Sequence, residues 1–371
     1  MRIGLIAPPW VPVPPPAYGG TEIVIDNLAR GLQNQGHEVR LFTVGESTCP
    51  VTRRYRYPKA VTAMGAAMPE AAHVLAAYDV LDDEVDIIHD HTTLGPLLAG
   101  RHRERHPPIV TTNHGPFTDE ARQLYAEVAS DVAIVAISHD QAASAGRIPI
   151  AAVIHHGVDL TLYQPGPGDG GYLLFMGRMT PDKGVHVALR AAQRAGLPLI
   201  IVAKMREPAE RAYYEQVVAP LLGPDEPQPR ELPVDRRLEL LRGAKALLNP
   251  IAWPEPFGLV MIEALAAGTP VLAFPNGSAS EIVDDGVTGF LCKDEDELTA
   301  AIARLDTIDR GACRRVAEER FSLDKMAQAH HRLYRRVLLG ARPARHTVAV
   351  AHQYGPHVAT AHEALPSELS G

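Results

Sequence analysis

The segment W-P-E-P-F-G-L-V-M-I-E-A-L-A-A-G-T-P-V, residues 253–271, constrains the fold more than any other part of the chain. Pro254 and Pro256 hold Glu255 in a loop, because proline does not fit inside a helix and restricts the residue before it. Residues 257–267 are then almost entirely apolar. A helix that is apolar on every side is a buried helix, and the Gly-Thr-Pro that follows ends it before a short buried strand.

Glu263 is the single carboxylate inside this predicted helix, and a buried charge is costly unless hydrogen-bond donors surround it. The hydroxyls of a ribose are suitable donors, and acidic residues hold ribose in dinucleotide-binding folds. The free amides at Phe257, Gly258 and Leu259 would form an anion site at the helix start. The alternative is an ordinary core helix whose glutamate pairs with an internal arginine or lysine.

The pair Glu255 and Glu263, with seven residues between them, resembles the E-x7-E signature of retaining glycosyltransferases of family 4, the glycosyl transferases group 1. The flanking Phe-Gly, Glu-Ala and Gly-Thr-Pro-Val also match. The similarity extends over about residues 1–339. It implies the GT-B fold, in which two Rossmann-like domains face a cleft and the last helix crosses back to the first domain.

Alternating buried strands and helices predict an α/β protein with two doubly wound domains. A segment rich in Pro, Gly and Asp at 162–171 marks the linker between them. We therefore expect an acceptor-binding domain at 1–160, a nucleotide-sugar domain at 161–320, a crossover helix at 321–340 and a flexible tail at 341–371.

Composition excludes several classes of function. A net charge of −8 and a pI of about 6.1 argue against broad nucleic-acid binding. Three distant cysteines, Cys49, Cys292 and Cys313, fit reduced thiols of a cytoplasmic protein, and no apolar run is long enough to span a membrane. The oligomeric state stays open.

Two strand-to-helix connections in the first half are candidate ligand loops. Gly19 and Gly20 follow a proline-rich loop and open a helix, which fits a phosphate loop or a plain helix entry. His114 follows a strand, where α/β folds bind ligands, although a lone histidine there is often structural. The resemblance implies that both glycines lie against the donor diphosphate and that His114 contacts the donor sugar.

The second half contains a loop with two cations, Arg178 and Lys183, between a strand and a helix. Such a loop suits a diphosphate, while two solvated cations are the plain alternative. It is similar to the family element G-R-x-x-x-x-K-G, whose cations neutralise the leaving diphosphate. By this resemblance the catalytic residues are His114, Arg178, Lys183 and Glu255, with Glu255 on sugar hydroxyls and Glu263 on the ribose.

No metal cofactor is expected, because no D-x-D motif lies near the predicted phosphate site. The pattern His89-Asp90-His91 is interpreted as a polar strand end rather than a metal site, since no further ligand stands at a suitable spacing. The expected reaction moves a hexose, with retention, from a UDP- or GDP-sugar to a hydroxyl of a glycan, glycolipid or small metabolite.

Two alternatives remain, a GT-B epimerase or phosphorylase-like enzyme and a non-enzymatic sugar-nucleotide binder. A nicotinamide oxidoreductase is disfavoured, because the first loop lacks the G-x-G-x-x-G pattern.

Overall fold

The computed structural model describes residues 1–17, 19–99, 107–223 and 227–340, and the tail prediction for 341–371 falls outside them. The first half forms a seven-stranded parallel sheet in the order β3-β2-β1-β4-β5-β6-β7. Its strands are β1 Arg2–Ile6, β2 Glu38–Thr43, β3 Thr52–Tyr55, β4 Ile87–Asp90, β5 Ile109–Thr112, β6 Val132–Ala136 and β7 Ile150–Val153. Its helices are α1 Gly20–Asn34, α2 Ala67–Leu81, α3 Gly95–Leu98, α4 Asp119–Val128 and α5 His139–Ser144.

The second half forms a five-stranded parallel sheet in the order β12-β11-β10-β8-β9. Its strands are β8 Leu173–Arg178, β9 Leu199–Lys204, β10 Leu247–Asn249, β11 Val271–Ala273 and β12 Gly289–Leu291. Its helices are α6 Val185–Arg194, α7 Pro208–Tyr213, α8 Val234–Gly243, α9 Leu259–Ala266, α10 Ala279–Ile282, α11 Glu295–Ile302 and α12 Arg310–Arg320, and α13 Leu323–Leu338 follows. The two doubly wound α/β domains confirm the predicted fold class; the exact division at 160 and 161 stays a prediction.

The strand order locates the ligand loops. In the first sheet the winding reverses between β1 and β4, and in the second it reverses between β8 and β10. Open parallel sheets bind ligands beyond the carboxyl ends of the strands on either side of such a reversal. The loops after these four strands therefore carry the candidate site.

The apolar segment folds as expected. Helix α9 begins after Gly258, and its residues 261–266 are all buried in the core of the second domain. Strand β11 follows it and pairs with β10 and β12. The helix is buried because it lies between the sheet and α12, so its position is fixed on both sides.

The last helix, α13, crosses back to the first domain. Its Met326, Leu333 and Tyr334 belong to the same apolar core as β1 and α1. A Cβ on Gly31 of α1 would lie 2.8 Å from the Ala327 side chain, which shows how closely the two helices pack. The prediction of a crossover helix is confirmed.

Helix α12 is among the helices that the sequence did not predict. It has a mostly polar sequence, R-G-A-C-R-R-V-A-E-E-R, and its apolar face is limited to Cys313, Val316 and Ala317. Its arginines also bind inside the protein. Arg310 donates to the backbone carbonyls of Gly166 and Ala244, and Arg314 donates to Ala266 at the end of α9. Because cations stabilise the carbonyl end of a helix, this polar face can pack against protein instead of facing water.

Candidate active site

Two helix N-termini meet where the domains face each other. Gly19 precedes α1 in the first domain, and Gly258 precedes α9 in the second. A Cβ on Gly20 would lie 3.6 Å from Cδ1 of Leu259, so the predicted phosphate elements are neighbours. The first amides of each helix have no intrahelical acceptor, and both dipoles place positive potential there.

The second domain adds charged side chains beside this point. Lys183 forms an ion pair with Glu255, and their side chains are only 11% and 17% exposed. The Lys183 ammonium lies 5.6 Å from the centre of the Trp253 ring. Arg178 ends β8, is 37% exposed and lies 3.7 Å from Asp182. Lys183 and Glu255 were predicted at separate parts of the donor, and the structure shows them as direct partners.

Backbone contacts hold the Glu255 loop in place. The Ser278 amide donates to the Glu255 carbonyl at 3.0 Å, and the Ala252 amide donates to the Asp182 carbonyl at 2.8 Å. Gly277 has a φ of 61°, and a Cβ there would lie 2.2 Å from the Glu255 carbonyl oxygen. Only glycine fits such a left-handed position in contact with backbone. The loops after β8, β10 and β11 therefore form one rigid unit.

Glu263 is 8% exposed and accepts a hydrogen bond of 2.9 Å from the Tyr163 hydroxyl. Burial and the Glu263 carboxyl raise the pKa of Tyr163 well above its ordinary value, so the phenol stays a donor. The hydrogen-bond donor to Glu263 is thus a tyrosine, and not the arginine or lysine expected if α9 were an ordinary core helix. A neutral hydroxyl leaves the carboxylate with further acceptor capacity, which is the condition for binding a ribose as well.

The first domain contributes a cluster that we call the histidine row: His89, His91, His114, His156 and His330. Successive ring centroids lie 4.0 Å apart for His89 and His91, 5.2 Å for His91 and His114, and 5.3 Å for His114 and His156. The row ends against Phe257 of the second domain, 4.9 Å from His156. It therefore connects the β4 and β5 strand ends to the entrance of α9.

Burial keeps the histidine row uncharged. It lowers the pKa of His114 to about 4 and that of His330 to about 4. It also holds the pKa values of His89, His91 and His156 well below the ordinary range. At neutral pH these rings are hydrogen-bonding groups without charge.

His114 has one ring nitrogen engaged by a neighbour. Its Nε2 lies 2.9 Å from Nδ1 of His91, so one ring donates to the other. His114 is partly exposed, whereas the other four rings are buried. The geometry makes His114 the member of the row that can reach a ligand and makes His91 the group that orients it.

In the histidine motif at β4, His89 has both ring nitrogens paired, whereas Nε2 of the buried His91 has no hydrogen-bond partner among the described residues. Nδ1 of His89 lies 2.7 Å from the Tyr334 hydroxyl, and Nε2 lies 2.8 Å from the Thr112 hydroxyl. Elsewhere in the described chain, one trio, His139, His155 and Glu281, has ligand atoms within 4.8 Å of one another. The Glu281 oxygens already accept from two backbone amides and from His155 Nε2. Metal independence stays a prediction.

The sequence pointed to His114, and to His89 and His91 as a polar strand end, but not to their contact with one another. His91 and His156 follow the ends of β4 and β7, and His330 comes from α13. One signal in the sequence could have grouped them: a histidine follows several of the parallel strands, and the carboxyl ends of parallel strands lie at one edge of the sheet. Tyr163, the partner of Glu263, lies in the linker and carries no such signal.

Among the described helices, none combines the length and the apolar character that crossing a bilayer requires.

Two doubly wound domains with opposed helix N-termini define a GT-B type of fold. Comparison with known proteins agrees. A family model described as Glycosyltransferase Family 4 matches residues 18–162, and one described as Glycosyl transferases group 1 matches residues 164–319. The chain belongs to glycosyltransferase family 4. It is thus a glycosyltransferase with a sugar-nucleotide donor.

Similar proteins cover almost the whole chain. D-inositol 3-phosphate glycosyltransferase of Mycobacterium avium (strain 104) is 27% identical, over 89% of this chain and 89% of the relative. AviGT4, a glycosyltransferase involved in avilamycin A biosynthesis, has a TM-score of 0.68 at 25% identity, over 91% of this chain and 98% of that one. Anabaena Alr3699/HepE in complex with UDP-glucose has a TM-score of 0.70 at 19% identity, over 90% and 99%.

Proposed function

We propose that this glycosyltransferase moves a hexose from a UDP- or GDP-sugar to a hydroxyl acceptor with retention of configuration. The observation that carries the proposal is the meeting of the α1 and α9 N-termini, with Gly20 and Leu259 in contact range, beside the Lys183–Glu255 pair. Opposed helix N-termini and a lysine are the groups that bind a diphosphate.

The leaving group sets the main catalytic requirement. When the bond between the sugar and the diphosphate breaks, negative charge grows on the phosphate oxygens. Fixed amides of α9, together with Lys183 and Arg178, stabilise that charge without having to reorganise. No metal is required in this scheme, and activity in the presence of EDTA tests that part.

The Lys183–Glu255 pair separates two tasks. Lys183 has three N–H donors, so it can keep Glu255 and still bind a phosphate oxygen. Glu255 is an acceptor, and we assign it to hydroxyls of the donor sugar. His114, on the opposite face of the cleft, contacts the same sugar. The acceptor hydroxyl then attacks the face from which the diphosphate leaves.

The relatives narrow the choice of substrates. The UDP-glucose complex of Anabaena Alr3699/HepE supports testing UDP-sugars first. The mycobacterial relatives are named for D-inositol 3-phosphate, which supports a phosphorylated polyol as a candidate within the class of small-metabolite acceptors. Glycans and glycolipids remain candidate acceptors. The three cysteines are buried and form no disulfide, which supports a reducing compartment such as the cytoplasm as the place where the protein acts.

A thermal-shift panel of UDP-, GDP-, ADP- and TDP-sugars tests the donor site. One nucleotide class at about a hundred times its Kd should stabilise the wild type by roughly 2.7 kcal/mol. Glu263→Gln should lose most of that shift, because it replaces a charged carboxylate with a neutral amide that keeps only one of the two acceptor oxygens. Glu297→Gln, on an exposed ion pair of the same domain, is the matched control and should keep it. A panel that moves no melting curve would refute the donor-site assignment.

Product analysis then separates transfer from the alternatives. A transferase releases the nucleoside diphosphate in proportion to glycosylated acceptor. An epimerase would convert the sugar nucleotide without any acceptor, and a binding protein would show no turnover.

A further inference from the structure

Glu22 is a buried carboxyl at the N-terminus of α1 that the proposed mechanism does not use. It is the third residue of the helix and is 6% exposed. Its Oε2 atom lies 2.9 Å from the position that a Cβ on Gly19 would occupy. The carboxyl therefore lies beside the two glycines at the point where α1 faces Leu259.

No cation neutralises this carboxyl among the residues that the structure describes. Its hydrogen-bond donor is its own backbone amide, and burial raises the pKa of Glu22 to about 7. Asp26, one turn further along α1, is different because it forms an ion pair of 3.2 Å with Arg30. Glu22 is thus as buried as Asp26, but no described cation lies beside it.

The proposed donor creates a conflict at this place. A diphosphate bound between the α1 and α9 N-termini would put phosphate oxygens next to an ionised Glu22. Two anions in a water-poor site repel strongly, and the helix dipole cannot stabilise both fully. A carboxyl that takes a proton removes the repulsion and becomes a donor.

We propose that Glu22 takes up one proton from solvent when a nucleotide-diphosphate sugar binds, and that the resulting acid O–H donates a hydrogen bond to a phosphate oxygen. The inference rests on the proposed function and assigns to Glu22 a role in donor binding. The proton remains on the carboxyl oxygen, and no covalent bond to the donor changes.

The sign of the pH dependence follows. Free Glu22 with a pKa of about 7 is mostly ionised at pH 8 and mostly protonated at pH 6. Binding that requires the acid form takes up most of one proton at pH 8 and little at pH 6, and its affinity falls roughly tenfold per pH unit well above pH 7.

Other groups around the cleft do not produce this signal. Burial lowers the pKa values throughout the histidine row, so these rings stay neutral from pH 6 to 9. Across the cleft, Lys183 and Glu255 already neutralise each other. On α1 itself, burial also raises the pKa of Asp26, although Arg30 beside it opposes the rise, and the Asp26→Asn variant separates its contribution. A sugar nucleotide has no phosphate that titrates in this range, because each phosphate carries one ester and one anhydride bond and keeps a single, strongly acidic ionisable oxygen.

Calorimetry with UDP-glucose as the probe tests the inference. Titrations of the full chain at pH 8, in buffers of different ionisation enthalpy, measure the protons taken up on binding. The wild type should take up close to one proton. Glu22→Gln, which imitates the acid form, should take up almost none and should bind with an affinity that is constant from pH 6 to 9. Asp26→Asn is the matched control on the same helix and should retain the uptake.

The outcomes distinguish a failure of the role of Glu22 from a failure of the proposed function. UDP-glucose binding without proton uptake in the wild type, or with unchanged uptake in Glu22→Gln, would overturn the role of Glu22 and leave the proposed function standing. If Glu22→Gln does not fold, the wild-type affinity between pH 6 and 9 still decides, since a constant Kd would overturn it. If neither UDP-glucose nor another sugar nucleotide binds, the proposed function fails, and the inference fails with it.

Discussion

The two faces of the cleft use opposite electrostatics. Beside the α1 N-terminus and Glu22, the first-domain face carries the histidine row, five rings that burial keeps uncharged. The second-domain face carries formal charges, with Lys183 and Glu255 paired and Arg178 nearby. The charged groups have ionic partners, whereas the rings contact one another and neutral groups such as the Tyr334 and Thr112 hydroxyls.

This difference indicates a division of labour. A charged face with helix amides binds and stabilises a diphosphate, whose charge changes during the reaction. The neutral histidine row can hydrogen-bond sugar hydroxyls through His114 without adding charge beside the diphosphate. The predictions below test that division.

The largest effect should come from removing the cation of the charged face. Lys183→Ala takes away a phosphate donor and leaves Glu255 buried without its partner, so we expect kcat to fall by roughly 10²–10³-fold. Steady-state kinetics with the tightest-binding sugar nucleotide measures this. Lys293→Ala, on an exposed ion pair, should stay near wild type. A Lys183→Ala enzyme with normal kcat would contradict the charged-face assignment.

The next effect tests the rigid loop beneath that face. Gly277→Ala would bring a Cβ within 2.4 Å of the Glu255 nitrogen, at a φ that disfavours side chains. Because backbone must move, we expect a loss of about 3 kcal/mol in the free energy of unfolding. Chemical denaturation measures it. A loss below about 0.5 kcal/mol would mean that the loop adapts and does not fix Glu255.

Acid should destabilise the neutral face. A histidine with a pKa of about 4 in the folded chain and 6.5 unfolded stabilises the fold fully above pH 6.5 and loses that contribution as pH falls toward 4. For His330 the loss at pH 5 is about 2 kcal/mol. His330→Asn should therefore narrow the difference in unfolding free energy between pH 7 and pH 5 by that amount. An unchanged pH dependence would show that the ring is not held neutral.

The smallest change in stability should come at the contact between the faces. Gly20→Ala would place a Cβ at ordinary contact distance, 3.6 Å, from Leu259, so unfolding free energy should change by less than about 0.5 kcal/mol. The added methyl would occupy the proposed phosphate path, so sugar-nucleotide affinity should fall several-fold. Calorimetry measures the affinity, and a variant that binds as tightly as wild type would move the diphosphate away from Gly20.

Local patterns determined much of this protein. Apolar runs separated by Gly and Pro predicted most of the strands, and the buried helix α9 followed from its all-apolar sequence. Helix α12 was not predictable in this way, because its arginines are satisfied by carbonyls from distant segments. Hydrophobic periodicity reports burial of apolar surface and does not register a polar face packed on backbone.

The residues of the candidate site also form two groups, those that local spacing could predict and those that it could not. Residues within one loop, such as Arg178 with Lys183 and Phe257 to Leu259, could be grouped from sequence because local spacing places them together. The meeting of Gly20 with Leu259, the Tyr163 donor to Glu263 and the histidine row join residues far apart in the chain. The sequence by itself determined the two α/β domains and the chemistry that each loop offers. Only the tertiary structure decided which loops face each other, because strand order and the return of α13 bring those strand ends to one cleft.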